Sequence, residues 1–273
     1  MTLIVSTASR GVGFALAEQA ALPIELPGIG RWDPDSLQLF VVDDAKALRN
    51  VSRGRAPSWG VGFALPATGT IMIRADAIDP AGALRHELAH LGLHSRIASR
   101  VPLWFDEGYA VVAANEFGRM LTLQLNLAVA TRGVGGLREL DRALRAGPGE
   151  AEAAYALAGS AVAHVLLLQP SGSLDKLIGR LEGGEGFDTA LLSTTGYDLP
   201  AFERSWRRQV RRRYGLFVWL MAGGWWALAG FGLVGFAALK RRRDAPRRAA
   251  LDQGWPLPDI EEVDMLDRSS TTP

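Results

Sequence analysis

Arg85-His86-Glu87-Leu88-Ala89-His90 sets two histidines four residues apart, with a glutamate directly after the first. The stretch lies inside a helical period. Asp79 is a good N-cap and Pro80 suits the first helical position. Leu84, Leu88 and Leu91 follow at i, i+4 and i+7 and form one buried face. A helix is expected from Pro80 to about His94. Residues four apart share a helix face, so both imidazoles can bind one ion. Glu87 stands beside that face, where its carboxylate can take a proton from a metal-bound water. Zinc supplies the other half of that chemistry by lowering the pKa of its water towards ~7.

A catalytic zinc needs a third protein ligand and one open position. Trp104-Phe105-Asp106-Glu107-Gly108-Tyr109-Ala110 offers Glu107, 17 positions after His90. Pro102 opens a second helix through Trp104–Asn115, and a turn near 99–101 returns it to the first. His86, His90 and Glu107 are therefore the expected ligands of a single ion, with Glu87 as general base.

At these residues the chain resembles the gluzincin metallopeptidases, which join H-E-x-x-H to a downstream W-x-x-E-G glutamate. RHELAH followed by PLWFDEGYA is most similar to the peptidase MA-like branch, with a spacing a little shorter than in its thermolysin and aminopeptidase relatives. The likeness covers roughly residues 35–210. It implies a zincin-like domain, one Zn2+ ion and hydrolysis of peptide bonds. It also implies that Tyr155, in Ala154-Tyr155-Ala156, stabilises the oxyanion. The alternative for Tyr155 is a packed tyrosine on an alanine-rich helix. The resemblance further implies an edge strand before the first metal helix, assigned here to Thr70–Arg74, that pairs with extended substrate. A second functional class stays open: an inactive membrane-anchored scaffold that keeps the zinc site for binding.

The remaining chain reads as α+β. Leu37–Val42 is a strand candidate and 43–50 a short helix. Trp59–Leu65 and Thr70–Arg74 pair across the turn-rich 66–69. Helices are expected over 119–130, 137–145, 150–168, 174–181 and 199–213. The expected architecture is a small N-terminal mixed sheet followed by a mainly helical half.

Composition narrows the function. The 273 residues carry 30 Lys+Arg against 29 Asp+Glu, a net charge of +1, which gives no global reason to expect nucleic acid. Cysteine is absent, so a metal must use His and carboxylate. Three of the four histidines lie within residues 86–94. Of these, His94 is expected as an exposed helix-end residue, because a third histidine ligand would belong at position 96, which is Arg96. His164 is expected to be structural. Asp106 is either an acceptor that orients a histidine or a solvated carboxylate. Ser6-Thr7-Ala8-Ser9-Arg10-Gly11-Val12-Gly13 looks like a dinucleotide turn, but Thr7 crowds the first glycine's place, so no nucleotide cofactor is expected.

Gly215–Leu239 holds no charged residue and as a helix would extend ~37 Å, enough to cross a ~30 Å hydrocarbon layer. The expected organisation is a poorly defined segment over 1–30, in the manner of a degenerate signal, then a metallopeptidase domain over 31–213. A single membrane span over 215–239 follows. The tail, 240–273, is basic, then acidic, and is expected to be disordered. Six basic residues in 204–213 face six in 240–248 across the span, so charge alone assigns no orientation. Placing the first group on the domain's last helix favours an extracytoplasmic domain and a cytoplasmic tail.

Overall fold

The computed structural model describes residues 1–115, 133–219 and 224–254. Strand β1 (Thr2–Val5) leads into helix α1 (Arg10–Ala20), then a two-stranded ribbon of β2 (Ile24–Leu26) and β3 (Gly30–Trp32). Strand β4 (Gln38–Val42) precedes α2 (Ala45–Val51), whose cap Asp44 accepts from the Ala47 N–H. Strands β5 (Gly62–Leu65) and β6 (Thr70–Arg74) follow as an antiparallel pair. The main sheet has the order β1-β4-β6-β5 and is mixed, with β1, β4 and β6 parallel and β5 antiparallel.

Two expectations change here. Residues 1–30 are an ordered part of the fold: β1 pairs with β4 in the register Thr2↔Gln38, and Leu16, Ala17 and Ala20 of α1 are buried with the sheet. The edge next to the metal helix is β5, and Thr70–Arg74 is an interior strand. Its buried run Thr70–Ile73 suits an interior position.

The helical part begins with α3 (Pro80–Arg96) and α4 (Leu103–Ala113). Asp79 Oδ1 accepts from the Gly82 N–H at 2.8 Å, so the cap read from the sequence starts α3. Among the described residues there follow α5 (Leu137–Ala143), α6 (Pro148–Leu168), α7 (Asp175–Glu182), α8 (Phe187–Thr195) and α9 (Leu199–Trp219). The helix expected over 119–130 falls outside the described residues. The fold is thus mixed α+β, with a small N-terminal sheet and a mainly helical remainder.

α3 lies between two cores. Leu84, Leu88 and Leu91 pack with Leu39, Val41, Ile71 and Ile73 of the sheet. Ala89 and Leu93 pack instead with the helical core around Trp104, Phe105, Phe202 and Trp206. Apolar contact on two sides fixes the rotation of α3 about its axis and so aims its polar residues.

Among the described residues one helix, α6, is long and apolar enough to cross a membrane. Half of its most apolar window is buried in the domain, including Ala154, Ala158 and Val162 beside α4, so its hydrophobicity serves the core.

The chain divides into two units, Met1–Val218 and Trp219–Pro273. In the second, α10 runs over Trp225–Gln253 with Pro246 inside it. The segment 240–253, expected to be disordered, is therefore helical. The expected span, 215–239, includes 220–223, which lie outside the described residues. Along α10, Trp226, Phe231, Leu233, Val234, Phe236 and Leu239 are all exposed.

Candidate metal centre

His86 and His90 project from one face of α3, their rings 5.0 Å apart. Glu107 reaches them from α4. Its Oε2 lies 3.4 Å from His86 Nε2 and 3.4 Å from His90 Nε2. Two ligands each about 2.1 Å from a tetrahedral ion stand about 3.4 Å apart, so both separations match an edge of such a site. The three ligand atoms lie within 4.8 Å of one another and the groups are part-buried. The residues fit a divalent cation in both geometry and donor type.

Glu107 is delivered by the packing of α4. Gly108, the next residue, presses on α6 so closely that an added Cβ would meet the Ala158 backbone oxygen at 2.3 Å. Trp104, one turn earlier, is buried against Phe187 and stacked on Phe202. Its backbone N–H donates to Asp141 Oδ1 at 2.7 Å, which satisfies one open donor at the start of α4. Asp141 belongs to α5, and no local pattern announces a cap supplied from 37 residues away.

His90 uses both ring nitrogens. Its Nδ1 is 2.9 Å from Asp106 Oδ1, while Asp106 Oδ2 is 3.0 Å from His94 Nε2. Asp106 therefore orients His90 through the nitrogen that faces away from Glu107. His94 is a partner in this chain, with a side chain only 27 % exposed, and is not the solvated helix-end residue expected. Its hydrogen bond to Asp106, made across two helices, has no signature in the spacing of α3.

The electrostatics of the cluster are set by carboxylates and imidazoles held close together. Burial alone would raise the Asp106 pKa, but hydrogen bonds from His90 and His94 hold it well below the usual carboxylate range. Glu107 likewise overcomes burial through His86 and His90 and falls to about 2. Burial opposes charge on His90, yet its hydrogen bonds to Asp106 and Glu107 raise its pKa well above 6.5.

Glu87 behaves differently. It is buried, 8 % exposed, and burial pushes its pKa up, while His90, His86 and the Ala64 N–H restrain the rise. The Ala64 N–H comes from β5. Arg74 N donates to Val61 O, which makes 61 and 74 a hydrogen-bonded pair. By alternation, Gly62 and Ala64 turn their N–H and C=O groups to the free edge. Neither residue was singled out in the sequence, where the strand's Gly60-Val61-Gly62 spacing is the one available signal.

A cavity of about 740 Å³ opens over these groups, walled by Trp59, Phe63, Ile78, Glu152 and Tyr155. Tyr155 is part-buried, its ring 6.0 Å from that of His86 and 6.1 Å from Trp59. His164 lies outside this cavity; it is buried and bonded to Ser205 Oγ at 3.0 Å.

The family model of the peptidase MA superfamily matches residues 26–212. The chain belongs to the peptidase MA superfamily. A search of the curated proteins found no match. The superfamily match runs from the last residue of β2 through most of α9, takes in α3 and α4, and begins after β1 and α1. Membership makes this a metallopeptidase-like protein, with a peptide or protein as the class of substrate and a His/Glu cluster suited to the metal.

Proposed function

We propose that the chain is a membrane-anchored zinc metallopeptidase of the gluzincin type. The observation that carries the proposal is the pair of 3.4 Å separations joining one Glu107 oxygen to both imidazoles. His86, His90 and Glu107 would hold the ion. When bound, zinc would polarise the scissile carbonyl and make water acidic enough to lose a proton near neutral pH.

The protein's own groups do the rest. An extended peptide adds to β5, hydrogen bonding to the outward groups of Gly62 and to the Ala64 C=O, while the Ala64 N–H stays with Glu87. Glu87 takes a proton from the attacking water as a C–O bond forms at the carbonyl carbon. The same carboxyl then passes that proton to the amine nitrogen as the C–N bond breaks, so a raised pKa suits it to both steps. Tyr155, beside His86, donates a hydrogen bond from its hydroxyl to the developing oxyanion. Asp106 keeps His90 turned so that Nε2 faces the ion.

The anchor is assigned to Gly215–Leu239. It is supported by α10, whose large apolar side chains from Trp226 to Leu239 are exposed, an arrangement that suits contact with lipid. The catalytic domain is assigned to the extracytoplasmic side, because six arginines of 204–213 belong to α9, a helix of the folded domain.

Metal analysis and peptide turnover of the full chain, beside Glu87→Gln, test the proposal. One zinc per chain is expected in both proteins, with turnover in the first alone. Zinc in both with turnover in neither would make the domain a binding scaffold. No metal in either would end the proposal.

A further inference from the structure

A second cavity, of about 520 Å³, opens between α6 and α9. It is lined by His164 of α6 and by Ser205, Arg208, Gln209, Arg212 and Arg213 of α9. Positions 205, 208, 209 and 212 follow one helical stripe. The wall thus brings three guanidinium groups together and contains no carboxylate. Arg208 and Arg212 are exposed, and among the described residues neither has an acidic partner within 4.0 Å; the nearby Glu203 pairs with Arg207 instead. At the base, the buried His164 is held by Ser205 Oγ at 3.0 Å and by the Gln209 side chain. Like charges gathered in one wall with no carboxylate among them are a costly arrangement in isolation, and a bound anion relieves it.

The position of the stripe indicates the source of that anion. Arg212 precedes Gly215, where the uncharged run begins, by three residues, or about 4.5 Å of helix. If 215–239 enters a bilayer, the cavity sits at the depth of the lipid phosphates.

We propose that this cavity binds a phosphate group, held by forked hydrogen bonds from Arg208 and Arg212, and that the phosphate belongs to an anionic lipid headgroup. The lipid source rests on the membrane assignment of 215–239; the phosphate site does not. Guanidinium suits the role because its planar fork matches two phosphate oxygens at once, which an ammonium does not.

The test uses the full chain in nanodiscs of phosphatidylcholine, alone or mixed with phosphatidylglycerol, and reads retained phosphatidylglycerol by native mass spectrometry. Arg208→Ala with Arg212→Ala is compared with Arg204→Ala with Arg211→Ala. The second pair removes the same charge from exposed positions of the same helix outside the cavity. Retention is expected to be about tenfold lower in the first pair than in the second. Arg208→Lys with Arg212→Lys keeps the charge and is expected to lose retention as well. Equal retention in both alanine pairs, or full retention in the lysine pair, would reduce the cavity to diffuse attraction and overturn the proposal. Inorganic phosphate titrated onto the detergent-solubilised chain separates the sources. Saturable phosphate binding that depends on Arg208 and Arg212, without preference for phosphatidylglycerol, would overturn the lipid assignment. If wild type does not enter nanodiscs, the membrane assignment fails, and the phosphate titration still decides the pocket.

Discussion

Gly62 of the edge strand stands against the carboxylate of Glu87, so close that a Cβ on the glycine would lie 2.6 Å from Glu87 Oε1. Gly62→Ala is expected to push the carboxylate from its place beside the metal helices without touching any ligand. Turnover should fall by about 10²-fold while bound zinc stays at the wild-type level. Steady-state kinetics alongside metal analysis check this, and unchanged turnover would mean that Glu87 is not the working base.

Asp106 grips His90 at 2.9 Å and His94 at 3.0 Å. Asp106→Asn offers one acceptor where the aspartate offers two, so His90 loses its fixed orientation. Zinc affinity is expected to drop about 10- to 100-fold in competition with a chelator. His94→Ala, which leaves the Asp106–His90 bond in place, should cost less.

The metal-free protein should show a pH signature set by His90. Its folded pKa is raised well above 6.5, so its contribution to stability is complete below 6.5 and is lost as pH climbs through the raised value. The apo thermal midpoint should therefore decline over that alkaline window, and the zinc-loaded protein should not follow. Zinc uptake at neutral pH should also release a proton from His90, measurable by calorimetry in buffers of different ionisation enthalpy. At the acid end, Glu107 contributes stability above 4.5 that disappears as pH falls through about 2.

Gly108 touches α6 at the Ala158 carbonyl oxygen, where a Cβ would come to 2.3 Å of rigid backbone. Gly108→Ala should force α4 away from α6 and destabilise the domain by about 1–3 kcal/mol in urea unfolding. Because Glu107 rides on the same turn, zinc affinity should fall with it.

Full-length protein should sediment with membranes and resist carbonate extraction, whereas a chain cut after Arg213 should remain in the supernatant. Release of the full chain by carbonate would remove 215–239 as a span.

Much of the candidate site's geometry was legible because helices obey local rules. Asp79, Pro80 and the leucine spacing define α3, and a fixed 3.6-residue period then puts His86 and His90 on one face. Glu107 was reachable because a short turn must bring α4 back alongside. Sheet order was not legible. Alternation identifies Gly62–Leu65 and Thr70–Arg74 as strands, but which one lies at the edge depends on β4, which pairs with Thr70–Arg74 from 32 residues away. The same remoteness hid β1 itself, since four residues near an apolar helix also suit a leader segment. His94 was misplaced for a related reason: its exposure depends on α4, a neighbour absent from its own helix. The helix over 240–253 ran against a composition of Arg, Pro and acid that reads as tail.

The outer margin of β5, unpaired among the described strands, carries a cost of its own. Unsatisfied strand donors and acceptors invite any extended chain, including a second copy of this protein, to continue the sheet. Four residues and two glycine-lined positions, 60 and 62, keep that invitation short, and Pro66 stops it at one end. The brevity of β5 thus limits self-association of the protein through its sheet.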